Sequence, residues 1–155
     1  GAFTCNLPIT TGIPIGGNVS IEPRDNGQGH QIVFVFDAPV TLPGSASVTP
    51  AGSASGTANG NEVRVALNGI ADGSRATVAL TGVNGAVNTS ASLGFLLGDV
   101  TGSRAISAAD IATAKARLNT SPLTSATCAA DINVDGQIKS SDVTAVKNRS
   151  GNQLP

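Results

Sequence analysis

Between residues 131 and 142 the chain spaces oxygen-bearing side chains in a way that suits a hard divalent cation. Asp131, Asn133, Asp135 and Asp142 stand at positions one, three, five and twelve of that stretch, with Gly136 at six. Calcium takes roughly six to eight oxygen ligands at about 2.3–2.6 Å. Short side chains at alternate positions point inward together as a loop curls, and glycine at the sixth position accepts the positive φ of a sharp turn. On this reading the main-chain carbonyl of Gln137 is the seventh-position ligand and Ile138 anchors the loop to a core. Asp142 closes the site from the first turn of a helix, where its charge also suits the helix dipole. Lys139 at position nine cannot ligate, so water fills that place.

The pattern occurs once before in weaker form, at an offset of 32 residues (Asp99 to Asp131). Residues 99–110 lie over residues 131–142, Lys115 over Lys147 and Arg117 over Arg149. Such an internal duplication is the most specific signal in the chain. The ligand positions of this first copy are Asp99, Thr101, Ser103, the carbonyl of Ala105, and Asp110, with Ser107 placed to hold a water. Only two of these are carboxylates. Arg104 stands where glycine belongs, which puts a charge beside the site and costs roughly 1–2 kcal/mol if the position is left-handed. Two readings stay open for this loop: a weak ion site, or a hydrogen-bonded loop that keeps the shape without metal.

Catalytic constellations are thin elsewhere. The one histidine, His30, lies near Asp25 and Asp37, but a catalytic triad needs fixed geometry, and no Gly-x-Ser-x-Gly turn is present. Glu22 and Glu62 are candidates for a glycosidase pair, yet there is no Trp or Tyr to hold a sugar ring. The same lack weakens a carbohydrate-binding reading, and the four Phe read as core. A non-catalytic chain is the expectation.

The elements that position these loops follow from pattern and composition. With 155 residues the chain makes one large domain or two small ones, and it is long enough to bury a core. The 19 Gly, with many Ser, Thr and Asn, break it into short elements, which excludes a coiled coil or a long-helix protein. No apolar stretch approaches the ~20 residues of a membrane span. Net charge −1 disfavours nucleic acid and anionic membranes as partners. Up to residue 97 the signals are those of β structure. Val63, Val65 and Leu67 alternate with Glu62, Arg64 and Ala66, which predicts a strand with one face on a core. Ile32-Val33-Phe34-Val35-Phe36 predicts a central strand, apolar on both faces. Residues 18–22, 45–49, 76–80 and 90–97 are further strands, separated by Asn-Gly, Pro-Gly and Asp-Gly turns. About seven strands at this spacing predict an antiparallel, Ig-like β-sandwich at residues 1–97. From residue 98 to 155 the period becomes helical. Residues 106–118 place Ile111, Ala114 and Leu118 on one face, and residues 138–150 turn Val143 and Val146 inward. Ser107-x-x-Asp110 resembles a helix-start box. The fold class is mainly β, with a small helical unit after the sandwich.

Cys5 and Cys128 are too few for a zinc site. Either both are buried thiols or they form one disulfide that ties the N-terminal segment to the C-terminal part. The low charge and the Ser/Thr/Asn/Gly-rich composition resemble secreted bacterial surface proteins, in which disulfides persist, so the bridge is the expectation. No signal peptide is visible and no initiator Met is present, which reads as a mature or excised fragment.

The segment from about Leu97 to Gly151 resembles a type I dockerin, a family with two calcium loop–helix segments, each like an EF-hand without its entering helix. Its consensus Gly-Asp-Val-Asn-Gly-Asp-Gly is matched in part by Gly98-Asp99-Val100-Thr101-Gly102, and more closely by Ala130-Asp131-Ile132-Asn133-Val134-Asp135-Gly136. The sandwich, with Val33-Phe34-Val35-Phe36 and Gly94-Phe95-Leu96-Leu97-Gly98-Asp99, looks like the module that precedes such tails in large secreted bacterial proteins. The resemblance implies Ca2+ as cofactor and a cohesin-type protein domain as partner. In that family a polar pair before the closing Asp, with basic residues on the helix, contacts the cohesin. The matching pairs are Ala108-Ala109 and Ser140-Ser141, followed by Lys115 and Arg117, and by Lys147 and Arg149. Only the second pair is polar, which speaks against a symmetric, two-way binding mode. Two functions of different class are implied: calcium-dependent docking of a parent protein at the cell surface, or a structural tail that stabilises that protein with no cohesin partner. The fragment is expected to be monomeric, with no membrane insertion.

Overall fold

The structure, a computed structural model, describes residues 5–27 and 29–155. Seven strands come first: β1 (Ser20–Glu22), β2 (His30–Val35), β3 (Ser45–Thr49), β4 (Ser53–Asn59), β5 (Glu62–Asn68), β6 (Ser74–Val83) and β7 (Val87–Phe95). They form two sheets, one ordered β1-β7-β6-β3 and the other β2-β5-β4. Two short helices follow, α1 (Ala108–Ala116) and α2 (Ser140–Lys147), with one 3₁₀ turn at Cys128–Ala130 between them. Among the described residues no helix is long and apolar enough to cross a membrane.

Alternation builds the sandwich. Val63, Val65 and Leu67 on β5 are at most 1% exposed and face Ala76, Val78 and Leu80 of β6 across the sheet gap. Each fully buried side chain of that size contributes about 1.5–3 kcal/mol. Gly56 on β4 lies close to Val63, Ala46 and Leu80, so the two sheets meet there over a residue with no side chain.

One strand escaped the sequence reading, and two expectations need correction. Residues 53–59, Ser-Ala-Ser-Gly-Thr-Ala-Asn, form a strand that small polar residues conceal; it pairs with β5 from Ser53↔Asn68 to Asn59↔Glu62. The run Ile32–Phe36 is not a central strand. Among the described residues β2 is an edge of the three-stranded sheet, paired only with β5, and Val35 is 68% exposed. Its apolar second face is partly covered by the N-terminal segment, whose Ile9 packs on the same core as Phe34 and Phe36. The sandwich is also not wholly antiparallel, because β1 runs parallel to β7 through Ser20↔Leu93 and Glu22↔Phe95.

A second core lies under the helices. Val143 and Val146 of α2 and Ala114 of α1 meet Ile106, Ile132 and Ile138, the last two at most 1% exposed. Ile111 and Leu118 pack against this core as partly buried residues. Val19, just before β1, and Leu96, just after β7, belong to it as well, with Leu7 and Ile13 at its margin. The sandwich and the helical part therefore share apolar contacts along the N-terminal segment and the 96–98 joint. Cys5 and Cys128 are bonded, with Cα atoms 6.1 Å apart. Arg149 Nε stands 3.7 Å from Asp72 Oδ2 in the β5–β6 turn, and Asp72 Oδ1 accepts the Leu97 amide at 2.7 Å.

Candidate metal centre and docking face

Both loops are built by the same local chemistry. A first carboxylate accepts amides from the fifth and sixth positions, and a twelfth-position carboxylate caps the following helix. In the second loop Asp131 Oδ1 accepts the Asp135 amide at 3.1 Å and Oδ2 the Gly136 amide at 3.0 Å. Asp142 Oδ1 accepts the amides of Ile132 (2.9 Å) and Asn133 (3.3 Å), and its Oδ2 accepts that of Lys139 (2.8 Å). The loop thus curls around its two end carboxylates, with Asn133 Oδ1 and Asp135 Oδ1 turned inward onto the Asp135 and Gln137 amides. Gly136 has φ 85°, as its place in the turn demands. Val134 has φ 56°, a left-handed conformation that costs a β-branched side chain about 1–2 kcal/mol. The sequence reading missed this strain, and its signal was the Val at the fourth position, where the consensus has Gly.

Two buried carboxylates give this loop negative charge, as the equally buried Asp99 and Asp110 give the first. Asp131 is 4% exposed and Asp142 is fully buried, yet among the described residues neither makes an ion pair. Burial pushes Asp131 above the usual carboxylate range, against the Gly136 and Asp135 amides, and the charges of Asp142 and Asp135 push it the same way. Buried charges without a partner are costly, and a hard dication relieves that cost. Lys139 Nζ lies 3.3 Å from Asp135 Oδ2 at the exposed rim. Loss of solvent pushes the Asp135 carboxyl up, but this lysine, the Gln137 amide and Asn133 together prevail, so it sits below its ordinary value. Among the described residues no three acidic, imidazole or thiol groups close on one another as a metal cluster. The residues that could hold a cation are therefore a mixed oxygen set, Asp131, Asn133, Asp135 and Asp142 with the Gln137 carbonyl, which would suit calcium better than zinc.

The first loop has the same outline and different donors. Asp99 Oδ1 accepts the Ser103 amide (3.0 Å) and Oδ2 the Arg104 amide (2.6 Å). Asp110 Oδ2 accepts the Ser107 amide at 2.8 Å and, with Ser107, completes the capping box of α1. The hydroxyl of Thr101 donates to Asp110 Oδ1 at 2.8 Å and stands 3.3 Å from Asp99 Oδ1. The hydroxyl of Ser103 donates to the carbonyl of Ala105 at 2.8 Å. Arg104 has φ 71°, the left-handed position expected of a residue in the place of glycine. Burial pushes Asp99 up, the Arg104 and Ser103 amides hold it down, and the nearby Asp110 leaves the net shift upward. Burial acts the same way on Asp110, but its bonds from Ser107 and Thr101 prevail and hold it low.

Residues 97–149 match the family model of the dockerin type I domain. The match supports a dockerin domain in the C-terminal part of the chain. No curated protein and no solved structure is similar enough to match. Dockerin type I domains are in general calcium-binding docking modules rather than catalysts; their partners are cohesins, and proteins that carry them are typically extracellular or on the cell surface.

On the helices of this dockerin-like part, Ser140, Ser141 and Lys147 are exposed around α2, and Ala108, Ala109 and Lys115 occupy the matching places on α1. Arg117 and Arg149 are half-buried. Arg149 is drawn toward Asp72 and the Ala145 carbonyl, and Arg117 caps α1 through its main-chain amide, with Nη1 buried and unbonded. The two basic pairs thus divide by exposure: Lys115 and Lys147 are exposed, Arg117 and Arg149 half-buried. Outside this part, Glu22 is held by Arg24 at 2.6 Å and Glu62 by Arg64 at 3.2 Å, on different sheets. His30 lies against Phe95, ring centroids 4.8 Å apart.

Proposed function

We propose that residues 98–155 form a calcium-dependent docking domain of a secreted or cell-surface bacterial protein, carried behind a non-catalytic, Ig-like β-sandwich at residues 1–97. Calcium is held by Asp131, Asn133, Asp135, the Gln137 carbonyl and Asp142. A cohesin-type domain binds across the start and outer face of α2, through Ser140, Ser141 and Lys147. One observation carries this reading: a loop with two buried, unpaired carboxylates and a third at its rim leads directly into an exposed polar helix face. Calcium would supply the missing positive charge, and part of its binding energy would become folding energy of α2.

The test is retention of the full chain on an immobilised cohesin-type domain, in calcium and in chelator, beside calorimetry and thermal melting. Binding in calcium alone is expected, with Lys147→Glu weakening it. Calcium at about 100 times its Kd should raise Tm by roughly 5–10 °C. Absence of heat together with an unchanged Tm would end the calcium reading. Calcium binding without retention would favour the structural-tail reading, which the Cys5–Cys128 bond and the Arg149–Asp72 contact support.

A further inference from the structure

The two loop–helix units are related by one pseudo-symmetric contact. The Asn119 amide, after α1, donates to the Ile138 carbonyl of the second loop at 3.0 Å. The Gly151 amide, after α2, donates to the Ile106 carbonyl of the first loop at 2.9 Å, which is the same bond under the 32-residue offset (119 to 151, 138 to 106). The symmetry stops there. The tail goes on along the first loop: Ile106 donates to the Asn152 carbonyl at 2.8 Å, Leu154 donates to the Arg104 carbonyl at 2.9 Å, and Ala105 and Gln153 form an antiparallel bridge. Among the described residues the second loop has no such continuation from the segment after α1.

The tail then reaches the sandwich. Leu154 is 8% exposed and sits over Gly94 of β7, where an added Cβ would come within 2.6 Å of Leu154 Cδ2 and 2.7 Å of Ile21 Cδ1. Arg75 of β6 donates to the Pro155 carbonyl at 2.6 Å and to the Gly17 carbonyl at 2.7 Å. Inside the first loop, the Thr101 hydroxyl donates to Asp110 Oδ1 and stands 3.3 Å from Asp99 Oδ1, and the Ser103 hydroxyl donates to the seventh-position carbonyl of Ala105. These are the oxygens a cation would draw on.

From these contacts we infer that the first loop is a metal-independent joint. Its hydroxyl donors take the place of an ion, the tail straps its outer edge, and together they fix α1 to the sandwich whether or not calcium is present. Calcium then acts on the second loop and α2 alone, and the molecule has one switchable docking face. The inference rests on the calcium reading above only for the behaviour of the second loop. The strap stands on its own contacts.

Three measurements on the full chain test it. Hydrogen exchange in calcium and in chelator should show unchanged protection for residues 104–116 and a loss in chelator across residues 131–147. Calcium-dependent protection of both stretches would overturn the inference. Thr101→Val should lower Tm by about 2–4 °C, equally with and without calcium, because it removes a hydroxyl donor and not a ligand. A loss confined to calcium would make Thr101 a ligand and refute the joint. Calorimetry should give one calcium per chain, rising to two in the Thr101→Asn, Ser103→Asp, Arg104→Gly variant; two in the parent would refute it. If no calcium binds anywhere, the docking proposal fails and the strap is judged by Leu154→Ala in chelator. Faster exchange of the Ile106 amide and the α1 amides supports the strap, and unchanged exchange sinks it.

Discussion

Reducing the Cys5–Cys128 bond should cost this protein a large part of its stability. The bond spans 123 residues of sequence. In the chain-entropy model a loop of that length removes about 16–17 cal/mol/K from the unfolded state, or about 5 kcal/mol at 25 °C. The folded state offers little compensation on reduction. Cys128 is 1% exposed, Leu7 and Ile13 pack on the same core as Cys5, and Arg24 Nη1 holds the Cys5 carbonyl at 3.2 Å. The segment therefore stays in place while the unfolded chain gains its freedom. For a chain of this size the loss corresponds to roughly 10–20 °C in Tm. The assay is equilibrium denaturation in guanidinium with and without reductant, in constant calcium, beside thiol counting on the denatured, unreduced protein. The reduced protein should show a lower midpoint and a larger m value, since its unfolded state is less compact. A change below about 1 kcal/mol with the same m value, or two titratable thiols before reduction, would refute the argument.

Three other outcomes follow from single contacts. Lys139→Gln removes the ammonium beside Asp135, so calcium should bind roughly two- to five-fold more tightly, and the gain should shrink in high salt; equal affinities in calorimetry would show the lysine to be a bystander. Val134 is 45% exposed and left-handed, so Val134→Gly relieves strain and loses little packing; after the entropy cost of glycine, a net gain of about 0.5–1 kcal/mol is expected in chemical denaturation, and a loss would mean that the side chain holds the loop. Burial lowers the pKa of His30 below its ordinary 6.5, with Arg24 acting the same way and Glu22 and Asp25 opposing. A depressed histidine stabilises the fold above 6.5 and loses that contribution as pH falls from there toward its folded value. Tm should therefore decline as pH drops below about 6.5, before carboxylates titrate, and His30→Gln should flatten that limb; a limb of equal slope in the variant would assign it elsewhere.

The division between sequence and tertiary structure runs along the range of the interactions. Val63, Val65 and Leu67 alternate because a half-buried strand has a period of two, and Asp131, Asn133, Asp135 and Gly136 are spaced by the geometry of one loop. Both patterns lie within a few neighbouring residues and were legible in the sequence. So were the start of α1 at Ser107–Asp110 and the left-handed turn at Arg104. The strand at residues 53–59 was not legible, because Ser, Ala, Gly and Thr carry no hydrophobic period and form a strand there only through β5. Ile32–Phe36 looked central because all five residues are apolar, yet only the path of the N-terminal segment decides what covers their second face. Composition made a disulfide the expectation, but no local pattern says that residues 5 and 128 lie side by side. The unequal fate of the two loops also has two sources. Residue types already weakened the first as an ion site, through Thr101, Ser103 and Arg104. Their hydroxyl bonds are local as well, but the tail crossing from Arg104 to Gly94 is set by contacts between residues far apart in the chain, and those exist only once the fold has formed.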